Sequence, residues 1–144
     1  MSDFRQVSED FWASPQIGPD DVAEAAQHGF ALIVNNRPEG ESTDQSAGAA
    51  IEAAARAAGL EYVAIPITHA GFDEAQVAEM ERALASAAGP VLAYCRSGTR
   101  STLLWALAQA RSGMEPGAIA AAAAGAGYDV GPVMPALRMF AARK

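Results

Sequence analysis

Short apolar runs alternate with longer segments of helical periodicity along most of this chain. Three of the runs have the length of a buried strand, at residues 30–34, 62–67 and 91–94, and a weaker one covers residues 7–12. Runs without polar alternation are typical of parallel strands that are covered on both faces. The pattern therefore predicts a central sheet that is mostly parallel.

Helical segments lie between and after these runs, at residues 20–29, 47–58, 73–88, 102–110, 116–124 and about 132–142. Asp73 is placed to cap the third of them, because the Gln76 side chain can bond back to the Asp73 backbone. Strands that alternate with helices predict a three-layer α/β/α sandwich joined by right-handed crossovers. At 144 residues, the chain is expected to form a single domain over residues 1–144.

The loops that follow the predicted strands are the expected location of a functional site. In sheets of this kind, ligands bind beyond the carboxyl ends of the strands. Three loops occupy that position, at residues 35–44, 68–72 and 95–101.

Charge and composition narrow the classes of partner. A net charge of −7 disfavours broad contact with nucleic acid or with an anionic membrane surface, but it allows a small anionic substrate to bind at a local cluster of arginines. No apolar stretch approaches the roughly 18 residues that span a bilayer, and the N-terminus has no secretory pattern. The single cysteine suits a reducing compartment, so we expect a cytoplasmic protein.

That cysteine, Cys95, opens a polar loop between the strand at 91–94 and the next helix. If the helix begins near Arg100, the loop amides curl toward one point and the positive end of the helix dipole adds to them, which makes a cradle for an anion. Cys95, at the rim of this cradle, is expected to ionise readily, and the thiolate is the nucleophilic form. We predict Cys95 and Arg100 as catalytic residues.

The rest of the loop suits anion binding. A glycine permits a positive φ and the close approach of an oxyanion, and hydroxyl groups can donate hydrogen bonds to it. Arg100 offers a planar fork to a tetrahedral anion, and Arg96 either joins it or points outward and adds to the positive field. The residues predicted to bind the anion are Arg96, Ser97, Gly98, Thr99 and Ser101.

A purely structural interpretation of Cys95 competes with the catalytic one. Most free cysteines are small buried hydrophobes, and a strand end is an ordinary place for one. Packing alone does not explain why so many polar groups surround Cys95, so the reactive interpretation is favoured.

Two groups of enzymes have similar loops. Residues 95–101, Cys-Arg-Ser-Gly-Thr-Arg-Ser, closely resemble the active-site loop of single-domain rhodaneses, whose cysteine carries a persulfide. The loop is also similar to the phosphate loop of cysteine-dependent tyrosine and dual-specificity phosphatases. In those phosphatases the arginine lies one position further along and a histidine usually precedes the cysteine, whereas here Arg100 follows Cys95 by five positions and Tyr94 precedes it.

A second resemblance rests on segments outside the cysteine loop. These segments are Ser14-Pro15-Gln16, Asp20-Asp21-Val22, Gly29 to Glu41 and Ile65-Pro66-Ile67. Together with the cysteine loop, they resemble the phosphatase-like domain of beta-lactamase-hydrolase-like proteins over about residues 7–110. The most specific part is Asn-Arg-Pro-Glu-Gly-Glu at residues 36–41. The resemblance implies the fold of dual-specificity phosphatases, and members of the family are described as phosphatase-like or as sulfur transferases.

A phosphatase also needs a general acid to protonate the leaving oxygen. In the enzymes that the loop resembles, this is an aspartate on the loop after the preceding strand, which corresponds here to residues 68–72. His69 lies at about that place and can act as an acid near neutral pH, and Asp73 is the other candidate. Each has a structural alternative, which is loop hydrogen bonding for His69 and helix capping for Asp73.

Arg37, on the first loop, has two interpretations. Its guanidinium can complete the anion pocket, or it can pair with Glu39 and Glu41, and the pairing or a structural role in the loop is favoured. No set of His, Cys and carboxylate residues has metal-ligand spacing, so no metal or other cofactor is expected.

Three hypotheses about function stay open. The favoured one is a sulfurtransferase in which the Cys95 thiolate takes up sulfur as a persulfide, because the leaving sulfite or thiolate needs little protonation. The second is a hydrolase of phosphate monoesters that forms a phosphocysteine at the same residue. The third is a module that binds a small anion or a partner protein without turnover.

Overall fold

The computed structural model describes residues 2–143, in which a five-stranded sheet lies between two layers of helices. The strands are β1 (Arg5–Gln6), β2 (Phe11–Ser14), β3 (Leu32–Asn35), β4 (Glu61–Ala64) and β5 (Val91–Tyr94). The helices are α1 (Pro19–Gln27), α2 (Gly48–Ala57), α3 (Glu74–Ser86), α4 (Thr99–Ser112), α5 (Pro116–Gly125) and α6 (Met134–Ala142), with a 3-10 turn over Gly131–Val133. The predicted three-layer α/β/α fold is confirmed.

The sheet has the strand order β1-β2-β5-β3-β4. β1 pairs with β2 in the antiparallel sense, and the other pairs are parallel. Tyr94, the last residue of β5, is level with Ser14 on one side and Asn35 on the other, and Asn35 is level with Ala64. The four parallel strands therefore end at one edge, from which the three loops of interest leave.

Side chains alternate between the faces of the sheet, and this alternation divides the core into two parts. Val34 packs with α3 to α6 on one face, whereas Ile33 and Leu92 pack with α1 and α2 on the other. Trp105 of α4 stacks on Phe11, with ring centroids 5.5 Å apart. Because α4 is buried over most of its length, the helix that follows the cysteine loop is fixed by the core.

The N-terminal part of the chain differs from the prediction of one strand over residues 7–12. The N–H groups of Val7 and Ser8 both donate to the Phe11 carbonyl at 3.0 Å, which turns the chain between β1 and β2. The result is a hairpin whose second strand extends to Ser14 and supplies a neighbour for β5.

Other boundaries shift by a few residues. Pro66 has no N–H to donate, so the run at 62–67 was expected to leave the sheet there, and β4 ends at Ala64, two residues before Pro66. The N–H groups of Ile65 and Ile67 nevertheless donate at 2.9 Å to the carbonyls of Asn35 and Asn36, so this segment stays against the loop after β3. α4 begins at Thr99, three residues before the predicted segment 102–110 and one before the start at Arg100 that the anion cradle assumed, and the first turn of the helix therefore belongs to the cysteine loop. Within residues 2–143, no helix has the length and apolar character that crossing a bilayer requires.

Candidate active site

The cysteine loop leaves the sheet at the carboxyl end of β5 and continues directly into α4. The N–H of Cys95 donates to the Ser14 carbonyl of β2 at 3.3 Å, which continues the sheet by one residue. Gly98 is the N-cap of α4 and has a φ of 91°, a left-handed conformation that glycine adopts at little cost. The loop thus makes its turn at the glycine that the sequence analysis selected for a positive φ.

The sulfur of Cys95 accepts a hydrogen bond from the backbone of its own loop. The Gly98 N–H donates to Cys95 Sγ at 3.1 Å, and Thr102 Oγ1 donates to the Gly98 carbonyl at 2.9 Å. The N–H groups of Arg100 and Ser101 lie in the first turn of α4, where a helix offers no acceptor, and neither bonds to another group within residues 2–143. The amide hydrogen bond to the sulfur and the free N–H groups at the start of α4 are the geometric features that the predicted anion cradle requires.

Cys95 is nevertheless wholly buried, and this corrects the expectation that it lies at the rim of an open cradle. The loop curls back on its own sulfur through the Gly98 N–H, while Arg96, Ser97 and Thr99 face solvent. Burial alone agrees with the interpretation of Cys95 as a structural cysteine. The amide hydrogen bond to Sγ does not follow from that interpretation, and a reagent can reach Sγ only when the loop opens.

Arg100 joins the cysteine loop to the two neighbouring loops. Its Nη1 and Nη2 atoms donate to Glu41 Oε2 and Oε1, both at 2.8 Å, and Nη1 also donates to the Ile67 carbonyl at 2.7 Å. The hydrogen bond from Arg100 is the main cause that lowers the pKa of Glu41 from its ordinary value of 4.5 to about 2. The same bond raises the pKa of Arg100, and the nearby Cys95 adds to this rise.

Arg37 is buried, with 4% exposure, and each nitrogen of its guanidinium donates one hydrogen bond. Nε donates to Glu41 Oε1 at 2.8 Å, Nη1 to Gln16 Oε1 at 3.0 Å, and Nη2 to Ser42 Oγ at 3.2 Å. The structure therefore contains the favoured ion pair with Glu41. These bonds use three of the five N–H groups of the guanidinium, so one N–H on Nη1 and one on Nη2 have no acceptor within residues 2–143.

Glu39 does not pair with Arg37, so that part of the expected ion pairing is wrong. Its carboxylate accepts the N–H of Gly48 at the start of α2, at 3.0 and 3.1 Å. The N-cap of α2 is Ala47, whose side chain cannot accept a hydrogen bond, and a carboxylate at a helix N-terminus also complements the helix dipole. Glu39 thus supplies the cap that α2 lacks.

The other loop residues divide between the surface and the core. Ser97 Oγ donates to Thr99 Oγ1 at 2.9 Å, and both side chains are exposed. The hydroxyl of Ser101 is buried and has no hydrogen-bond partner within residues 2–143. Arg96 is exposed, forms no ion pair in the described part of the chain, and lines a cavity of about 220 Å³ together with Arg37.

The two candidate acids occupy different settings. His69 is exposed, two residues beyond Ile67, and makes no hydrogen bond or ion pair with any of residues 2–143. Asp73 is the N-cap of α3: its Oδ1 accepts the Gln76 N–H at 2.7 Å, and its own N–H donates to Gln76 Oε1 at 2.8 Å. The predicted capping box is confirmed, and it engages one oxygen of Asp73.

Comparison with known proteins places this fold and loop in a family. The model of the beta-lactamase hydrolase-like protein, phosphatase-like domain, matches residues 3–112. The chain belongs to this family. The beta-lactamase hydrolase-like protein of Xylella fastidiosa is 36% identical over 126 residues, which are 87% of this chain and 29% of that protein. This phosphatase-like domain therefore spans less than a third of the length of that relative.

Solved structures agree with the family match. A candidate phosphatase from Neisseria meningitidis is 31% identical, with a TM-score of 0.82 over 94% of this chain and 96% of that one. The P. aeruginosa protein TpbA, crystallised in complex with phosphotyrosine, has the same fold at 19% identity, with a TM-score of 0.60 over 95% and 88% of the two chains. These findings support the phosphatase alternative rather than the sulfurtransferase hypothesis that the sequence analysis favoured.

Two contacts of this phosphatase-like domain were not predicted. Glu41 was expected to pair with Arg37, but it also holds Arg100, 59 positions away in the chain. Tyr128, between α5 and α6, donates from its hydroxyl to the Ser97 carbonyl at 3.1 Å. Its only sequence signal was an isolated aromatic residue in the glycine-rich segment 125–131, which is also what a plain loop contains.

Proposed function

We propose that this domain hydrolyses small phosphate monoesters, with Cys95 as the nucleophile. The observation that carries the proposal is the 3.1 Å hydrogen bond from the Gly98 N–H to Cys95 Sγ, next to the free N–H groups of Arg100 and Ser101. Membership of a phosphatase-like family and the 31% identical candidate phosphatase support it.

In the proposed reaction, the Cys95 thiolate attacks phosphorus while the bond to the leaving oxygen breaks, which forms a phosphocysteine. Water then attacks phosphorus, and the products are inorganic phosphate and the regenerated thiolate. Negative charge on the three equatorial oxygens is stabilised by the loop N–H groups and by Arg100. Glu41 holds Nη1 and Nη2 of Arg100, so the Nε side of the guanidinium is the part that faces the phosphoryl group in this mechanism.

The remaining loop residues would assist in binding. Arg96 is exposed and adds positive charge near the loop, and the exposed hydroxyls of Ser97 and Thr99, which bond to each other, are available to bind the phosphoryl oxygens. The buried Ser101 hydroxyl is free to donate to the thiolate or to the phosphoryl group once the loop opens. His69 is the proposed general acid, since the capping box engages Asp73.

The proposal is tested with an aryl phosphate and with phosphotyrosine, the ligand in the TpbA structure. The domain should release phosphate from both, and acid quenching should trap one phosphoryl group on the protein by intact mass. Cys95→Ser should abolish the release and the adduct, and Arg100→Lys should lower the rate by at least about a hundredfold, because lysine cannot form the planar fork. Release that persists in Cys95→Ser would exclude Cys95 as the nucleophile.

Sulfur transfer is the second candidate, because Arg100 follows Cys95 by five positions, as in the loop of single-domain rhodaneses, and because His69 does not touch the loop. The same mass measurement separates the two functions. Exposure to thiosulfate would add one sulfur atom to Cys95 of a sulfurtransferase, and cyanide would remove it as thiocyanate. Such an adduct, together with an absence of phosphate release, would replace the first proposal by the second.

A further inference from the structure

Tyr128 contacts the cysteine loop from a segment that the family match does not include. The match ends at residue 112, whereas Tyr128 lies between α5 and α6 and is buried with 6% exposure. Its hydroxyl donates to the Ser97 carbonyl at 3.1 Å, and Arg5 Nη1 donates to the Tyr128 hydroxyl at 3.4 Å. Arg5 in turn lies over the Tyr128 ring and pairs with Asp3 at 2.7 Å.

The carbonyl that Tyr128 holds and the N–H that contacts Cys95 belong to one peptide group. The Ser97 C=O and the Gly98 N–H are the two ends of a planar trans peptide, so they point in opposite directions. One end accepts the bond from the Tyr128 hydroxyl, and the other donates to Cys95 Sγ at 3.1 Å. A peptide that is held at both ends cannot rotate without breaking both bonds.

This peptide needs such a restraint because it precedes a glycine. Glycine adopts φ values of either sign, so rotation of the peptide before Gly98 meets little steric resistance from that residue. A flipped peptide would place the Ser97 carbonyl oxygen, instead of an N–H, against the sulfur, and that oxygen would repel a thiolate.

We propose that Tyr128 is a positioning residue that locks the Ser97–Gly98 peptide with its N–H directed at Cys95 and thereby stabilises the thiolate. The inference rests on the proposed use of Cys95 as a thiolate nucleophile. Burial raises the pKa of Tyr128, so its hydroxyl stays protonated and able to donate across the neutral range.

The test is the pH dependence of Cys95 alkylation by iodoacetamide in wild type and in Tyr128→Phe. The rate on the alkaline plateau reports how often the buried sulfur becomes accessible, whereas the ratio of the rate at mildly acidic pH to that plateau reports the thiolate fraction. Tyr128→Phe should lower this ratio by about three- to tenfold, the effect of weakening one hydrogen bond to a charged group. A purely structural role would change the plateau and leave the ratio unchanged, and that result would overturn the proposal.

Two further variants complete the experiment. Tyr62→Phe removes a different partly buried hydroxyl, one that accepts a bond from Asn35 at 3.0 Å, and should leave the ratio unchanged. Arg5→Gln keeps the Tyr128 hydroxyl but removes the guanidinium charge that contacts it, and should lower the ratio by a smaller factor. This variant provides the test if Tyr128→Phe fails to fold. Phosphate release is measured separately. A lowered ratio in Tyr128→Phe without phosphatase activity in wild type supports the role of Tyr128 and refutes the proposed function. Phosphatase activity in wild type with an unchanged ratio in Tyr128→Phe supports the proposed function and refutes the role of Tyr128.

Discussion

Glu41 holds Arg100 through both terminal nitrogens, with Nη1 to Oε2 and Nη2 to Oε1 each at 2.8 Å. The same carboxylate accepts a bond from Nε of Arg37 at 2.8 Å. One carboxylate therefore compensates two guanidinium groups and ties the loop after β3 to the loop after β5. Glu41 and the Ile67 carbonyl together fix the orientation of the Arg100 guanidinium.

Replacing Glu41 by glutamine should destabilise the domain, because the buried Arg37 would lose its counter-charge. Breaking a fully buried ion pair costs about 3–5 kcal/mol, but the Glu41 side chain is 19% exposed and solvent screens part of the loss. We expect the free energy of unfolding to fall by about 1–3 kcal/mol, measured by urea denaturation. As a control, Glu52→Gln removes an exposed ion pair with Arg56 and should cost less than about 0.5 kcal/mol. Equal losses in the two variants would contradict this account of Glu41.

The low pKa of Glu41 also predicts how stability depends on pH. The hydrogen bond from Arg100 is the largest cause of the shift to about 2 in the folded protein, against 4.5 for an ordinary glutamate. Because the unfolded chain binds the proton more readily, this contribution to stability is complete above pH 4.5 and is lost as the pH falls through about 2. Urea denaturation across that window should show a smaller loss for Glu41→Gln than for wild type. Parallel curves for the two proteins would show that Glu41 is not the group responsible.

Gly98→Ala should disrupt the loop for two separable reasons. The φ of 91° is strained for alanine, and a Cβ would overlap the Tyr128 hydroxyl and lie 3.3 Å from the Ser14 carbonyl oxygen. Gly59 has a φ of 84° with open space around it, so Gly59→Ala carries the backbone strain alone, about 1–2 kcal/mol. Thermal or urea unfolding should show a larger loss for Gly98→Ala, and the double variant with Tyr128→Phe should recover part of it. If Gly98→Ala lowers the free energy of unfolding no more than Gly59→Ala does, the Tyr128 hydroxyl is not packed closely against Gly98.

The elements that could be predicted from the sequence are those determined by residues close together in the chain. β5 at residues 91–94 and the Asp73 cap follow from apolar runs and from groups three residues apart, and both were placed correctly. The hairpin at β1 was missed because its turn, Ser8-Glu9-Asp10, contains neither glycine nor proline. The contact between Glu41 and Arg100 depends on how β3 and β5 pair, and no local pattern encodes that pairing. For the same reason the burial of Cys95 could not be predicted, although its polar surroundings could.

The assignment of the general acid leads to a prediction that compares two substrates. A phosphate ester with a basic alkoxide leaving group needs a proton in the transition state, whereas nitrophenolate leaves without one. If His69 supplies that proton, His69→Gln should lower turnover of the alkyl phosphate by about a hundredfold and leave the nitrophenyl phosphate nearly unchanged. Asp73→Asn keeps a residue that caps helices as well as aspartate does, so it should preserve both the stability of α3 and both activities. A selective loss on the alkyl phosphate in Asp73→Asn, with His69→Gln unaffected, would transfer the role to Asp73, whose Oδ2 is not used by the capping box.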